Sequence, residues 1–187
     1  MFDSGLKTDN KNRIIFVNGQ FNEMMAHTVI NKLFEYECAN TNADILLIID
    51  SYGGQVDSFI AIHDAIRLCR CDVATLCLGK AMSCGQMLLM SGKKGKRFIT
   101  TNSRVLVHEV SKNSGGKLSE LDNDIEELKR MQKIISEMFY KYTKINKMKL
   151  TELLSKDSFL SADETVKLGI ADYTITDAKS LYSKVKF

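Results

Sequence analysis

The sequence predicts an α/β fold built on one mostly parallel sheet with helices packed against it. Short runs of Val, Ile and Leu alternate with longer segments in which apolar residues recur every three or four positions. The short runs are typical of buried strands and the longer segments of amphipathic helices, and their alternation favours parallel strands joined by helices. The 187 residues, 44% of them apolar, contain no obvious linker. We therefore expect one compact domain with a full core.

Eight elements are predicted in the first 107 residues. The strands follow from short aliphatic runs at 13–17, 44–50, 72–78, 97–100 and 104–107. The helices follow from longer apolar segments at 23–39, 56–69 and 83–90. Because strand and helix alternate through this half, the strands are expected to lie side by side in one sheet.

A long helix is predicted next, over residues 118–142. One apolar stripe runs along about seven turns and consists of Leu118, Leu121, Ile125, Leu128, Met131, Ile135 and Met138. At 1.5 Å per residue this helix would extend for ~38 Å, which is longer than a small sheet can cover. We therefore expect part of the stripe to pack against another subunit, and the first half to fit the chain's own core better than the second.

The C-terminal part carries clear helix boundaries. Ser161 and Glu164 have the spacing of a capping box, which predicts a helix start. Gly169 predicts the end of that helix, because glycine is the usual residue just beyond a helix C-terminus. A last short strand is expected near residues 173–175.

Ser83 is the first candidate for chemistry. It lies in a segment of small residues, 79–85, between a strand-like run and an apolar, helix-like run. A serine at such a turn exposes its hydroxyl beside the free N–H groups of the new helix, which can stabilise an oxyanion. The alternative is an ordinary helix N-cap, since serine is favoured there.

Chain order excludes one class of serine hydrolase. In an α/β-hydrolase the nucleophile is followed by an acid and then by a histidine. No Asp or Glu occurs between positions 84 and 107, and no histidine follows His108. The remaining orders are Ser83, His108 and a later acid, or an arrangement that uses an earlier histidine.

His108 is the predicted base among the three histidines. His27 and His63 lie within amphipathic helical segments and are interpreted as ordinary helix residues. His108 instead ends the strand-like run 103–107 and precedes a polar, glycine-containing loop at 111–117. The end of a buried strand, where a loop begins, is a common position for a catalytic base.

Five motifs then occur in order along nearly the whole chain. They are Ser-Tyr-Gly-Gly at 51–54, Gly-Lys-Ala-Met-Ser-Cys-Gly at 79–85, Gly-Lys-Lys-Gly-Lys-Arg-Phe at 92–98, Thr-Asn-Ser-Arg-Val-Leu-Val-His at 101–108, and Asp-Ser-Phe-Leu-Ser-Ala-Asp-Glu-Thr at 157–165. Together they resemble the ClpP family, the proteolytic subunits of the Clp protease. The resemblance implies a ClpP/crotonase-like fold of repeated β-β-α units with a parallel sheet core and a protruding helical handle. Within one domain, 1–187, the head would be about 1–110 and 160–187 and the handle about 111–159.

The resemblance also assigns roles to individual residues. Ser83 would be the nucleophile, His108 the general base and then acid, and Asp157 the carboxylate that orients the imidazole. The backbone N–H groups of Gly54 and Cys84 would form the oxyanion hole. The alternative for Asp157 is an ordinary solvated loop residue, and the alternative for the glycine pair at 53–54 is a plain turn. A plain turn and an oxyanion donor both need glycine for close backbone approach, so the glycine pair fits either interpretation.

The implied protein is an ATP-independent serine endopeptidase subunit that cleaves unfolded proteins or peptides through an acyl-enzyme. It would form a homo-oligomeric heptameric ring, stacked as a tetradecamer, and could bind a AAA+ unfoldase ATPase or related ring subunits. A surface pocket where family ATPases dock is matched by apolar residues whose alternative interpretation is ordinary sheet core. They are Leu46, Ile48, Leu76, Leu78 and Phe98. No metal or cofactor is implied.

The chain departs from the family pattern in several places. It contains no proline. Tyr52 and Val110 occupy family proline positions, and Glu109 adds a carboxylate beside the base. Lys112 and the residue after it stand where the family has a glycine pair in the strand that holds substrate, and Lys156 replaces an arginine of the ring-to-ring contact. Residues 1–3 match the start of the family core, so we expect absent or short axial loops, and 3–12 match the first family helix poorly.

These departures keep two alternatives open. One is a catalytically weak ring subunit with a structural or regulatory role. The other is a crotonase-type acyl-CoA enzyme, which would use carboxylate bases rather than a serine and a histidine.

Charge and cysteine content limit the partners and the compartment. The net charge of +3 is small, and the basic run 93–97 has no interleaved aromatic residues, so a nucleic-acid partner is not expected. The chain has five cysteines, which is an odd number, and their spacing does not match that of metal ligands. We therefore expect reduced thiols rather than disulfides or a metal site. Cys84, next to the nucleophile, is expected to be the one most prone to oxidation or alkylation. No signal peptide or membrane span is predicted, so we expect a cytoplasmic location in a bacterium, an organellar stroma or a phage-infected host.

Overall fold

The computed structural model describes residues 8–9, 13–112 and 115–187. Its strands are β1 Thr8–Asp9, β2 Ile14–Phe21, β3 Ile45–Gly54, β4 Val73–Met82, β5 Arg97–Thr100, β6 Arg104–Val107, β7 Ser158–Leu160 and β8 Tyr173–Ile175. Its helices are α1 Glu23–Ala39, α2 Val56–Leu68, α3 Cys84–Ser91, α4 Leu118–Tyr142, α5 Lys147–Leu154, α6 Ala162–Lys167 and α7 Ala178–Tyr182. Among the described helices none is long and apolar enough to cross a membrane.

The predicted α/β class with a parallel sheet core is confirmed. Neighbouring strands follow the order β1-β2-β3-β4-β5-β8, and every pair from β2 to β8 is parallel. Strand β1 is antiparallel to β2 at the edge. The predicted bounds of α1, α4, β5, β6 and β8 agree with the structure, whereas α5, β7 and α7 had no counterpart in the sequence prediction.

Strand β4 changes its partner on one side halfway along its length, while its Ala81 stays paired with Ser51 of β3 on the other side. Its first part, at Thr75–Cys77, pairs with β5, and its last part, at Lys80–Met82, pairs with β6. Gly79 lies between the two parts with φ +94°, where a Cβ would lie 3.1 Å from a carboxylate oxygen of Asp50. Glycine allows this backbone conformation and this close approach. The change of partner places the end of β4 beside β6 instead of β5.

Two apolar clusters lie on opposite faces of the sheet. The larger one packs α1, α2 and α3 against the sheet and includes Ile15, Val29, Leu47, Phe59, Leu88 and Ile99. The smaller one is covered by α7 and the segment after it and includes Leu46, Leu76, Phe98, Ile175, Leu181 and Val185.

The smaller cluster bears on the predicted ATPase-docking pocket. Leu46, Leu76 and Phe98 are buried in it, as the alternative interpretation of sheet core requires. Ile48 is partly buried against the same cluster, whereas Leu78 is 48% exposed. Leu78 and Ile48 are therefore the members that offer surface, and the docking role stays a prediction.

The long helix packs in the opposite sense from the sequence prediction. Its second half contacts the core, where Ile135 and Phe139 are buried. Its first half projects from the core, with Leu118 76% and Ile125 49% exposed. The prediction that the first half fits its own core better was therefore wrong. The periodicity of apolar residues showed which face of α4 is apolar but not which end of the helix contacts the sheet.

Two predicted features fall wholly or partly outside the described residues. Of residues 3–12, which match the first family helix poorly, only Thr8–Asp9 is described, and these residues form a strand. Of the substituted glycine pair after His108, Lys112 is described and residue 113 is not.

A buried ion pair fastens the C-terminal part to β5. Arg97 is 2% exposed, and its guanidinium binds both carboxylate oxygens of Asp172, at 2.9 and 2.6 Å. The same guanidinium donates to the carbonyl of Tyr142 at the end of α4. Burial raises the pKa of Asp172, but the hydrogen bonds and charge of Arg97 outweigh burial and leave the pKa below its usual value.

We expect Asp172→Asn to lower the free energy of unfolding by about 3 kcal/mol, because it leaves a buried guanidinium without a counter-charge. In the wild type, a lowered carboxyl pKa means that this stabilisation is present above the unfolded pKa of about 3.9 and is lost as the pH falls through the folded value. Urea unfolding from pH 7 to pH 3 measures both effects. Asp122→Asn, at an exposed position of α4, is the control and should cost less than about 0.5 kcal/mol.

Candidate functional site

The ends of three neighbouring strands bring the predicted catalytic residues together. Strands β4 and β6 are parallel, with Met82 paired to Leu106, and Ser83 and His108 follow directly at the same edge. Strand β7 is antiparallel to β6, with Val107 paired to Ser158. Asp157, immediately before Ser158, therefore lies beside His108. Strand pairing alone thus places the three side chains in one region.

Ser83 has a strained backbone at the junction of β4 and α3. Its φ of +54° and ψ of −121° lie in a region that side-chain-bearing L-residues rarely adopt. Two backbone hydrogen bonds hold it there: its N–H donates to Leu106, and its carbonyl accepts from Met87. Its side chain makes no capping hydrogen bond to α3. The N-cap interpretation therefore accounts for its position but not for its hydroxyl.

Ser83 and His108 line the same small cavity, of about 50 Å³. The other lining residues are Gly54, Val56, Cys84, Gln86, Met87, Glu109, Val110, Ser111, Ile135 and Phe139. Within the described part of the chain no hydrogen bond joins the Ser83 hydroxyl to the His108 ring. The Nδ1 of His108 lies 3.8 Å from Oδ1 of Asp157, whose side chain is 68% exposed. Distances of this kind are common in ligand-free sites and shorten when substrate binds.

The two predicted oxyanion donors flank Ser83. Cys84 is the first residue of α3, so its N–H has no partner within that helix. Gly54 ends β3, lines the same cavity and has φ +148°. A Cβ on Gly54 would meet the backbone of Phe21, so only glycine fits there. Both residues are placed where backbone donors could face a reacting carbonyl at Ser83.

The expected reactivity of Cys84 was wrong. Its side chain is fully buried, and its thiol donates to the carbonyl of Gly54 at 3.3 Å. Burial raises the pKa of the Cys84 thiol to about 11, and its hydrogen bonds with Gly54 and Ser83 offset only part of this. Since the thiolate is the reactive form, this cysteine is poorly suited to alkylation or oxidation. The exposed cysteine among the five is Cys38.

Gly53 was overlooked as a site residue. A Cβ at this position would lie 2.7 Å from the Cβ of Ser83 and 2.9 Å from the carbonyl oxygen of Met82. Its N–H donates to the hydroxyl of Ser51, and its φ is +101°. The signal in the sequence was the glycine pair itself. Gly54 is the candidate oxyanion donor, and Gly53 allows β3 to approach Ser83 closely.

Tyr52, which occupies a family proline position, contacts Lys80. The ring of Tyr52 is covered by the ammonium group of Lys80, 4.5 Å from its centre. Lys80 also pairs with Asp50 at 2.7 Å. These contacts fasten the end of β3 to the end of β4. Tyr52 itself is exposed and does not line the cavity around Ser83.

The segment after His108 is attached to α4. The N–H of Val110 donates to the side-chain oxygen of Gln132, at 3.0 Å, and Lys112 forms an ion pair with Asp124. Residues 108–112 are not part of a strand. One backbone donor near the site is therefore already occupied by the chain itself.

The other two histidines lie outside this cavity, in helices as predicted. His63 is buried in α2, and its ring bonds Ser91 through Nδ1 at 2.8 Å and Tyr142 through Nε2 at 3.4 Å. Burial, helped by the charge of Arg67, lowers the pKa of His63 to about 4. His27 is exposed on α1. Among the described residues, no group of three or more His, Cys, Asp or Glu is arranged to hold a metal ion.

Comparison with known proteins identifies the family. A family model described as Clp protease matches residues 6–178. The chain belongs to the Clp protease family. It is 32% identical over 169 residues to the ATP-dependent Clp protease proteolytic subunit of Deinococcus radiodurans, a match that covers 90% of this chain and 83% of that protein. It is 34% identical over 169 residues to the chloroplastic ATP-dependent Clp protease proteolytic subunit 3 of Arabidopsis thaliana, covering 90% of this chain and 55% of that protein.

Membership of the Clp protease family confirms the resemblance found in the sequence and the expected enzyme class, a serine-type endopeptidase. It also decides against the acyl-CoA alternative, whose chemistry needs neither Ser83 nor His108. The roles of the individual residues stay predictions that the geometry supports.

We expect Gly53→Ala to slow labelling of Ser83 by a fluorophosphonate probe roughly a hundredfold, because the added methyl group displaces Ser83. Gly95→Ala is the matched control: its φ of +87° is equally unfavourable for alanine, but no atom lies within 4 Å of the new Cβ. Gly95→Ala should destabilise the fold by about 1 kcal/mol and leave labelling intact. Equal labelling of the two variants would mean that Gly53 does not position Ser83.

Proposed function

We propose that this chain is an ATP-independent serine endopeptidase subunit that cleaves unfolded proteins or short peptides through an acyl-enzyme. The observation that carries the proposal is the meeting of the ends of β4, β6 and β7, which brings Ser83, His108 and Asp157 to one site. Peptide hydrolysis by these groups consumes no nucleotide. In the relatives named ATP-dependent, the proposal assigns the nucleotide requirement to a separate ATPase.

Each step of the proposed reaction can be assigned to a group at this site. The Ser83 hydroxyl attacks the scissile carbonyl while His108 Nε2 accepts its proton, and Asp157 stabilises the imidazolium through Nδ1. The N–H groups of Cys84 and Gly54 bind the oxyanion, helped by the positive end of α3. His108 then protonates the leaving amine. Water, deprotonated by His108, releases the acyl group from Ser83.

The proposal includes assembly into a heptameric ring, stacked as a tetradecamer. Support comes from the first half of α4, which carries exposed apolar residues with no cover from the described chain, including Leu118 and Ile125. Apolar side chains at helical spacing on a projecting helix are suited to packing against the same helix of another subunit. The proposed partners are further copies or related ring subunits and, through Leu78 and Ile48, a Clp ATPase. The proposed location is the cytoplasm or an organellar stroma.

A second candidate function is a catalytically weak ring subunit. It is favoured by one observation, the bond from the Val110 N–H to Gln132, which occupies a backbone donor close to the site. In the resembled family this region holds the substrate backbone. If the bond persists when peptide is present, productive binding is weakened while the ring is kept intact.

We expect Ser83→Ala to abolish hydrolysis of a fluorogenic peptide, with a loss of several orders of magnitude in kcat, because the acyl-enzyme cannot form. His108→Ala should cause a comparable loss, and Asp157→Asn a smaller one, since Asp157 is largely solvated. Ser119→Ala, at an exposed position of α4, is the control and should keep full activity. An active Ser83→Ala protein would refute the proposal; an assembled, inactive wild type that takes up no fluorophosphonate would favour the second candidate.

We expect Ile125→Glu to lower the native mass, because a charge on the exposed stripe of α4 opposes helix packing between subunits. Glu126→Gln, one position along on the same helix, is the matched control, and its native mass should equal that of the wild type. Light scattering measures the mass, and fluorophosphonate labelling shows whether the site itself is intact. An unchanged mass for Ile125→Glu would mean that this half of α4 does not join the subunits.

A further inference from the structure

A larger groove opens beside the candidate catalytic cavity. It has a volume of about 550 Å³ and lies between the N-terminal parts of α1 and α2, the segment after His108 and the middle of α4. Val56, Val110 and Ser111 line both spaces. A peptide held at Ser83 would therefore have neighbouring side chains within reach of this groove. Its volume is in the range of ligand sites and exceeds the volume of one side chain.

The lining of the groove has an apolar part and a charged part. Its apolar lining consists of Ala26, Val56, Ala61, Val110, Leu128 and Met131. Three carboxylates join this lining: Glu23, Asp57 and Glu127. His27 and Lys112 are the basic groups there. An occupant that fits both parts has an aliphatic stem and a polar end.

The ion pairs show which charged side chains of the groove already have a partner of opposite charge. Lys112 is neutralised by Asp124, and Glu127 by Arg130 at 3.4 Å. Glu23 and Asp57 form no ion pair with any described residue. Each lies in the first turn of a helix, α1 and α2 respectively, where the helix dipole favours a negative side chain. The helix N-termini offset part of this charge, but the two carboxylates without a cationic partner leave the groove with an excess of negative side chains.

We propose that this groove binds a lysine or arginine side chain of the substrate next to the scissile bond. The stem of such a side chain lies along the apolar walls while its cationic end reaches Glu23 and Asp57. A purely apolar side chain would leave the carboxylates unpaired, and an acidic one would be repelled. The inference rests on the proposed function in one respect, that the peptide is held at Ser83.

The test uses two peptides that differ in one charge. They are identical except that one carries arginine beside the scissile bond and the other carries citrulline, which has nearly the same shape and no charge. Binding is measured by fluorescence anisotropy on the Ser83→Ala variant of the full chain, so that no peptide is consumed. We expect the arginine peptide to bind about fivefold more tightly at low salt, and the difference to shrink as ionic strength rises.

Variants then assign the preference to particular carboxylates. The measured quantity is the ratio of the affinity for the arginine peptide to the affinity for the citrulline peptide. Asp57→Asn and Glu23→Gln, each combined with Ser83→Ala, should each reduce this ratio, and both together should bring it close to one. Glu126→Gln is the matched control, because Glu126 lies next to Glu127 on α4 but does not line the groove. Circular dichroism of each variant shows whether it is folded.

The outcomes separate this inference from the proposed function. Equal binding of the two peptides, tighter binding of an otherwise identical glutamate peptide, or a ratio that survives the double substitution would overturn the groove assignment. If wild-type protein cleaves peptides without preferring arginine, the proposed function stands and the inference fails. If the arginine preference appears in binding but the wild type cleaves neither peptide, the inference stands and the proposed function fails.

Discussion

The structure of the site depends on β6, a four-residue strand that pairs with β4 on one side and β7 on the other. Its parallel pairing with β4 brings the residues after both strands, Ser83 and His108, to one edge. Its antiparallel pairing with β7 brings Asp157 to the same edge from the opposite direction. Because β4 exchanges β5 for β6 as its neighbour on either side of Gly79, the local freedom of one glycine is a condition for the whole arrangement.

The site combines strain with close backbone contact. Ser83 has an unfavourable backbone conformation, and Gly53 leaves room for it where any side chain would collide. The surrounding residues are among the most buried in the protein, including Cys84, Leu88 and Val105. A rigid core of this kind can hold a strained residue in place, and burial in it disfavours the reactive thiolate form of Cys84 although this residue lies next to the nucleophile. The segment after His108 is different, because side chains of α4 hold it rather than sheet pairing.

Much of the fold could be predicted from local pattern. The bounds of α1 and α4 and the capping box at Ser161 agree with the structure, since helix periodicity and capping are written in neighbouring residues. Strands β2, β3 and β4 continue beyond their predicted ends, through Gly19, Gly53 and Gly79, because pairing with neighbouring strands outweighs the low strand preference of glycine. The short elements α5, β7 and α7 carry too few residues for a periodic pattern.

Residue identity and order along the chain suffice to indicate the family and the candidate catalytic residues and to exclude an α/β-hydrolase order. Three features appear only in the folded chain: which half of α4 meets the core, the burial of Leu46 and Phe98 under the C-terminal segment, and the acidic groove beside the site. The physical reason is that burial, exposure and the pairing of charges arise between residues far apart in the chain. Glu23 and Asp57 show this clearly: each is an ordinary first-turn acid in the sequence, and only folding brings them to one groove beside Ser83.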